Sequence, residues 1–105
     1  MSGLDNNIKK ILEKKLGKHD FSYFLFGSRV KGDFRKNSDY DVGIKGKKKL
    51  ELRKYLQLKR LLNDNINYRV DLVDFNRVGK DFSNLALKNI KLWNKGKNIE
   101  LIEKN

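Results

Sequence analysis

The chain contains no cysteine and no proline, and only one histidine, His19, among its 105 residues. Without cysteine there is no disulfide and no thiolate metal site, which fits a reducing cytoplasm. Any metal must therefore be held by oxygen ligands, with His19 as the single imidazole. No apolar run approaches the roughly 20 residues that cross a bilayer, and residues 1–7 lack the basic-then-apolar pattern of a secretion signal. Repeats, low-complexity blocks and Pro/Gly/Ser-rich linkers are also missing. A single domain over residues 1–105 is expected, with room for one core but not for a second substrate-binding module.

What the sequence has in excess is positive charge: 25 Lys and Arg against 13 Asp and Glu, a formal net charge of +12. Such a surplus attracts polyanions, whether RNA, a nucleoside triphosphate or an acidic protein. A coding sequence biased toward Lys and Asn produces the same surplus, so charge alone selects no function. Against an RNA-binding platform, the aromatic residues fall in apolar runs and do not alternate with the basic ones.

Hydrophobic spacing predicts the elements. Ile8, Ile11, Leu12 and Leu16 mark a helix over residues 4–16, with Asp5 as N-cap and Gly17 as the stop. Residues 21–26, apolar at nearly every position, read as a strand covered on both faces. A short helix begins near Arg29, and residues 32–38 read as a loop. A second strand is expected over residues 39–45, a helix over 47–63, a third strand over 67–75 and a helix over 82–94 containing Leu85, Ile90 and Trp93. Residues 98–102 read as a short edge strand or a frayed tail. The class is α/β (α+β), a small mixed sheet covered by helices.

The chemistry concentrates in two places. Gly27-Ser28 ends a buried strand just before a helical turn, where backbone N–H groups and a hydroxyl can meet a phosphate and glycine permits close approach. After ten intervening residues come Asp39 and Asp41, two apart on a strand and so on one face. Two carboxylates held that close repel unless a cation neutralises them, and hard oxygen ligands suit Mg²⁺ or Mn²⁺. Asp71 joins them only if its strand lies beside theirs. Alternation gives Asp71 and Val73 one face, and Val70, Leu72 and Asp74 the other, so Asp74 reads as the polar end of the strand or the cap of the following turn. Arg29, Lys31, Arg35 and Lys36 are near enough in sequence to meet triphosphate charge.

Taken together, Phe26-Gly27-Ser28 through Asp39-Tyr40-Asp41-Val42-Gly43-Ile44 resembles the G-S-x10-D-x-D motif of the polymerase-beta nucleotidyltransferase superfamily, and in particular its minimal nucleotidyltransferase (MNT) branch. Asp71 matches the third carboxylate, and residues 87–99 resemble the closing helix and strand. The resemblance implies a polymerase-beta-like nucleotidyltransferase fold and a role as antitoxin to a HEPN-domain toxin, silencing it by transferring AMP from ATP to a toxin tyrosine. It further implies that Asp39, Asp41 and Asp71 are catalytic and hold two Mg²⁺ ions (or Mn²⁺). Gly27, Ser28 and Arg29 would then bind nucleotide beside Asp39 and Asp41. Two other readings stand beside it: an antitoxin that neutralises a HEPN ribonuclease by binding alone, and an RNA-binding or RNA-modifying protein.

Overall fold

The computed structural model describes residues 2–32 and 38–101. Its elements in chain order are α1 (Gly3–Leu16), β1 (Phe21–Phe26), α2 (Ser28–Lys31), β2 (Tyr40–Gly46), α3 (Leu52–Asn65), β3 (Val70–Asp74), α4 (Lys80–Ala86) and β4 (Lys91–Asn94). The four strands form one sheet in the order β3-β2-β1-β4. β1 runs antiparallel to both β2 and β4, whereas β2 and β3 are parallel, as their connection through α3 requires. The expected mixed sheet with helical cover is what forms.

Each face of the sheet carries its own apolar cluster. On one, Tyr23, Leu25, Val42, Ile44 and Leu72 meet Ile8 and Leu12 of α1 and Leu58 and Leu62 of α3. Each such side chain, fully buried, contributes roughly 1.5–3 kcal/mol, so this layer supplies most of the apolar stabilisation. On the other face Phe24, Phe26 and Phe75 pack as an edge-on aromatic group beside Leu87. A β-carbon at Gly43 would run into the rings of Phe24 and Phe75, so glycine in mid-strand is what lets those rings close over the sheet.

Several boundaries move from their sequence-based positions. Ser2, not Asp5, caps α1: its hydroxyl accepts from the Asp5 amide and donates to Asp5 Oδ1 at 2.8 Å. Asp5, buried, pairs with Lys91 Nζ at 3.4 Å and so ties α1 to β4. Gly17 ends the helix as expected. Leu50 lies outside α3, its amide held by Asp74 Oδ2 at 2.8 Å.

The largest correction concerns residues 82–94. They divide into the end of α4 and the edge strand β4, which puts Trp93 on a strand facing the α1 layer. Apolar spacing over so short a stretch fits both periods, and pairing with β1 decides between them. Of the two readings for residues 98–102, the edge strand does not form over the described residues 98–101; β4 is the edge of the sheet beside β1.

Candidate nucleotidyl-transfer site

β1 ends at Phe26, and Gly27 turns the chain with φ 80° and ψ −154°, a combination essentially confined to glycine. α2 follows at once, so the expected strand–turn–helix junction is present, closed by Gly32 in the left-handed region. In the antiparallel register Phe26 faces Asp41, which brings the turn over the start of β2. The approach is close: a β-carbon on Gly27 would collide with the Asp41 carboxylate, Oδ2 first. The Gly-Ser turn and one acidic residue therefore touch, although they are far apart in sequence.

The parallel pairing of β2 with β3 supplies the next member. Asp41 is the register partner of Asp71, and side chains in register on parallel neighbours share a face. Both project on the aromatic face, with Asp71 exposed and Asp41 half-buried. Asp39 sits one residue before β2 begins and is exposed. Burial holds the Asp41 carboxyl above the ordinary carboxylate value of 3.8; Asp71 and then Asp39 push the same way, and Arg29 pulls it back. Both expected acidic neighbours are thus felt electrostatically at Asp41.

Asp39 has a partner that sequence reasoning missed. Arg69 Nε stands 3.8 Å from Asp39 Oδ2, and both side chains are substantially exposed. Sequence alone held no signal for this pair, because it follows from the strand register. Extending the β2–β3 register one step places residue 69 beside residue 39, and the Tyr40 amide bonds to the Arg69 carbonyl at 2.9 Å. Asn63 was missed as well. Its amide brackets Val70, donating to the carbonyl at 2.8 Å and accepting from the N–H at 2.9 Å, which fixes where β3 starts and hence where Asp71 stands.

Arg29, expected near the triphosphate, directs its guanidinium at the backbone. Nη2 and Nε donate to the Ser38 carbonyl at 2.6 and 3.1 Å, and Cζ lies 3.9 Å from the Tyr40 ring centroid. Tyr68 flanks the same group, its ring 5.7 Å from that of Tyr40. Arg29 therefore clamps residues 38–39 to the turn that carries Gly27 and Ser28. Lys31 is exposed on α2; Arg35 and Lys36 lie outside the described residues. Asp74 points to the opposite face and is fully buried, accepting from the amides of Leu50 and Asn76. That confirms it as a turn cap on the far side of the sheet.

The donor set suits a hard divalent cation: carboxylates only, with a half-buried Asp41 repelled by two like charges. Among the described residues no three acidic or imidazole side chains stand close enough, as placed, to enclose an ion. As placed, the Asp39 carboxylate is exposed and paired with Arg69 at 3.8 Å. Asp41 and Asp71 are register partners on adjacent parallel strands.

Comparison with known proteins bears on the same segments. The family model described as polymerase beta, nucleotidyltransferase, matches residues 6–98. "Probable protein adenylyltransferase MntA" of Haemophilus influenzae is 33% identical over 82 residues, covering 77% of this chain and 70% of that protein. A crystal structure of a toxin–antitoxin with AMP-PNP superposes with a TM-score of 0.74 at 26% identity, over 87% of this chain and 73% of that one. A structure of tri-AMPylated Shewanella oneidensis HEPN toxin in complex with MNT antitoxin matches with a TM-score of 0.69 at 22% identity, over 88% and 71%; at that identity it speaks to the fold alone.

Proposed function

From the premise that this chain belongs to the polymerase-beta nucleotidyltransferase family, we propose that it is an antitoxin that transfers AMP from ATP to a tyrosine hydroxyl of a cognate HEPN-domain toxin. The observation that carries the reading is the register pairing of Asp41 with Asp71 directly beneath the Gly27-Ser28 turn. The similarity to an adenylyltransferase and to a toxin–antitoxin structure with AMP-PNP supports the donor and partner.

Asp41 and Asp71, completed by Asp39, are the residues that would hold Mg²⁺ or Mn²⁺. When bound, such ions neutralise triphosphate charge and acidify the acceptor hydroxyl. The Gly27-Ser28 turn, with the Ser28 hydroxyl, takes the terminal phosphates. Its glycine leaves the backbone open to them and in contact with Asp41. Arg29 keeps residues 38–39 against that turn, so Asp39 and Asp41 keep their spacing while nucleotide enters.

The acceptor oxygen bonds to the α-phosphorus as the bond from that phosphorus to the bridging oxygen breaks, and pyrophosphate leaves with the electron pair. Asp71, exposed and beside Asp41, accepts the hydroxyl proton and passes it to solvent. Positioning and charge neutralisation carry the step.

The test is transfer of label from α-labelled ATP to the purified toxin in the presence of Mg²⁺. Converting Asp39 and Asp41 together to Asn is expected to lower the rate on the order of 10²–10³-fold or more. Labelling at the wild-type rate places the chemistry elsewhere. Full neutralisation of the toxin by a variant lacking all three carboxylates assigns the role to binding alone.

A further inference from the structure

A cleft of about 720 Å³ opens at the far end of the sheet from the carboxylates. In the β1–β2 ladder it lies at the Phe21↔Gly46 pair, whereas the acidic site lies at Phe26↔Asp41. At about 3.4 Å per residue the two are roughly 17 Å apart. Neither the sequence motif nor the proposed reaction uses this end of the molecule.

Its walls come from stretches distant in sequence, and they carry one dominant chemistry. Lys47, Lys48, Lys49, Lys54 and Lys97 line the cleft, with His19 at its rim, and all are exposed. Among the described residues none of the five lysines is in a salt bridge. Only Asp20 and Glu51 oppose them in the lining. The N-terminus of α3 also opens here: Glu51 occupies the N-cap position without a side-chain capping bond, so the positive end of a 14-residue helix adds to the field.

The walls are held in place before any ligand arrives. Leu50 N–H is anchored by the buried Asp74 at 2.8 Å, Gly96 N–H by Ser22 Oγ at 2.8 Å, and Lys97 N–H by the His19 carbonyl at 2.7 Å. The lysine run at 47–49 and Lys97 are therefore carried on fixed backbone.

The chemistry of the lining selects the ligand. The bidentate fork of arginine matches carboxylate and phosphate alike, and no arginine lines the cleft, so the lining meets anions through lysine point charges. Lysine acts as a point charge toward phosphate. Several in one cleft suit a chain of phosphates more than a single phosphate group, and such contacts carry no sequence information. The one aromatic in the lining, Phe21, is half-buried, so bases find no stacking platform. We infer that this cleft binds the phosphodiester backbone of a nucleic-acid strand, without sequence preference, at a site separate from the carboxylates.

The experiment is fluorescence anisotropy of the full chain with labelled single strands of about 12 nucleotides, RNA and DNA side by side, across a salt series. Each neutralised phosphate lowers log K by about 0.7 per log unit of salt, so a slope of roughly −2 to −3.5 is expected. Binding of either strand carries the assignment, and the tighter one names the source. Replacing Lys47, Lys48, Lys49 and Lys97 with Gln is expected to weaken binding at least tenfold and flatten the slope. Replacing Lys10, Lys14, Arg60 and Lys88, exposed residues outside the cleft lining, removes the same charge and is expected to leave binding within a few fold. Thermal melts establish that both variants fold. Equal weakening by the two sets, failure of both strands to bind, or displacement by poly-glutamate as effective as by unlabelled strand overturns the inference.

Discussion

Gly27 shows how much one residue can decide. It supplies a backbone conformation that side chains rarely adopt, and it leaves the space that the Asp41 carboxylate fills. Gly27→Ala is expected to cost roughly 1–3 kcal/mol from backbone strain alone and to displace Asp41. Urea unfolding and the label-transfer assay should therefore fall together. Asp41 itself makes a pH prediction for the metal-free protein. Its folded-state carboxyl titrates above the ordinary 3.8, first through burial and then through Asp71 and Asp39. Between 3.8 and that raised value the folded chain binds more protons than the unfolded one. Its contribution to stability therefore falls as pH rises through that window, and the penalty disappears below 3.8. Asp41→Asn removes this pH dependence and stabilises the metal-free domain near neutrality, as urea titrations at several pH values in chelator would record.

At the scale of the element, β3 carries two aspartates three residues apart that do opposite work. Asp71 faces the exposed aromatic side, while Asp74, with 0% exposure, accepts from Leu50 N–H through Oδ2 and from Asn76 N–H through Oδ1. An amide in place of that carboxylate offers one acceptor where two donors wait. Asp74→Asn is expected to destabilise by roughly 1–3 kcal/mol, whereas Asp71→Asn stays within about 0.5 kcal/mol of wild type and loses transfer. Denaturant midpoints beside transfer rates separate the two. The period-two pattern of Val-Asp-Leu-Val-Asp was enough to assign these faces from sequence. The same kind of reasoning failed at residues 82–94, where α4 and β4 are too short to display a period. Trp93, expected on that helix with Leu85 and Ile90, is buried from a strand.

For the whole molecule, the acidic and basic ends of one sheet divide the +12 charge into two unlike sites. Ligand binding at the acidic end is expected to register in global stability. ATP with Mg²⁺, bound only by the folded chain, adds about 2.7 kcal/mol at a hundredfold excess over Kd. The melting temperature should therefore rise with ATP and Mg²⁺, fall back in chelator, and not respond when Asp39 and Asp41 are both Asn. Equal stabilisation by ATP in chelator would remove the cation from the site. No helix among the described residues is long and apolar enough to cross a membrane.

The motif residues, their alternation on strands and the mixed αβ class were set by local spacing, because side-chain periodicity and glycine's allowed conformations are properties of short segments. Folding alone decided the rest. Parallel pairing through α3 brings Asp71 beside Asp41 and Arg69 beside Asp39. The Arg29 fork grips residue 38, and lysines from residues 47 and 97 meet across a cleft. Each of these depends on strand order and register. Those are settled by long-range burial and backbone pairing, which no stretch of a dozen residues encodes.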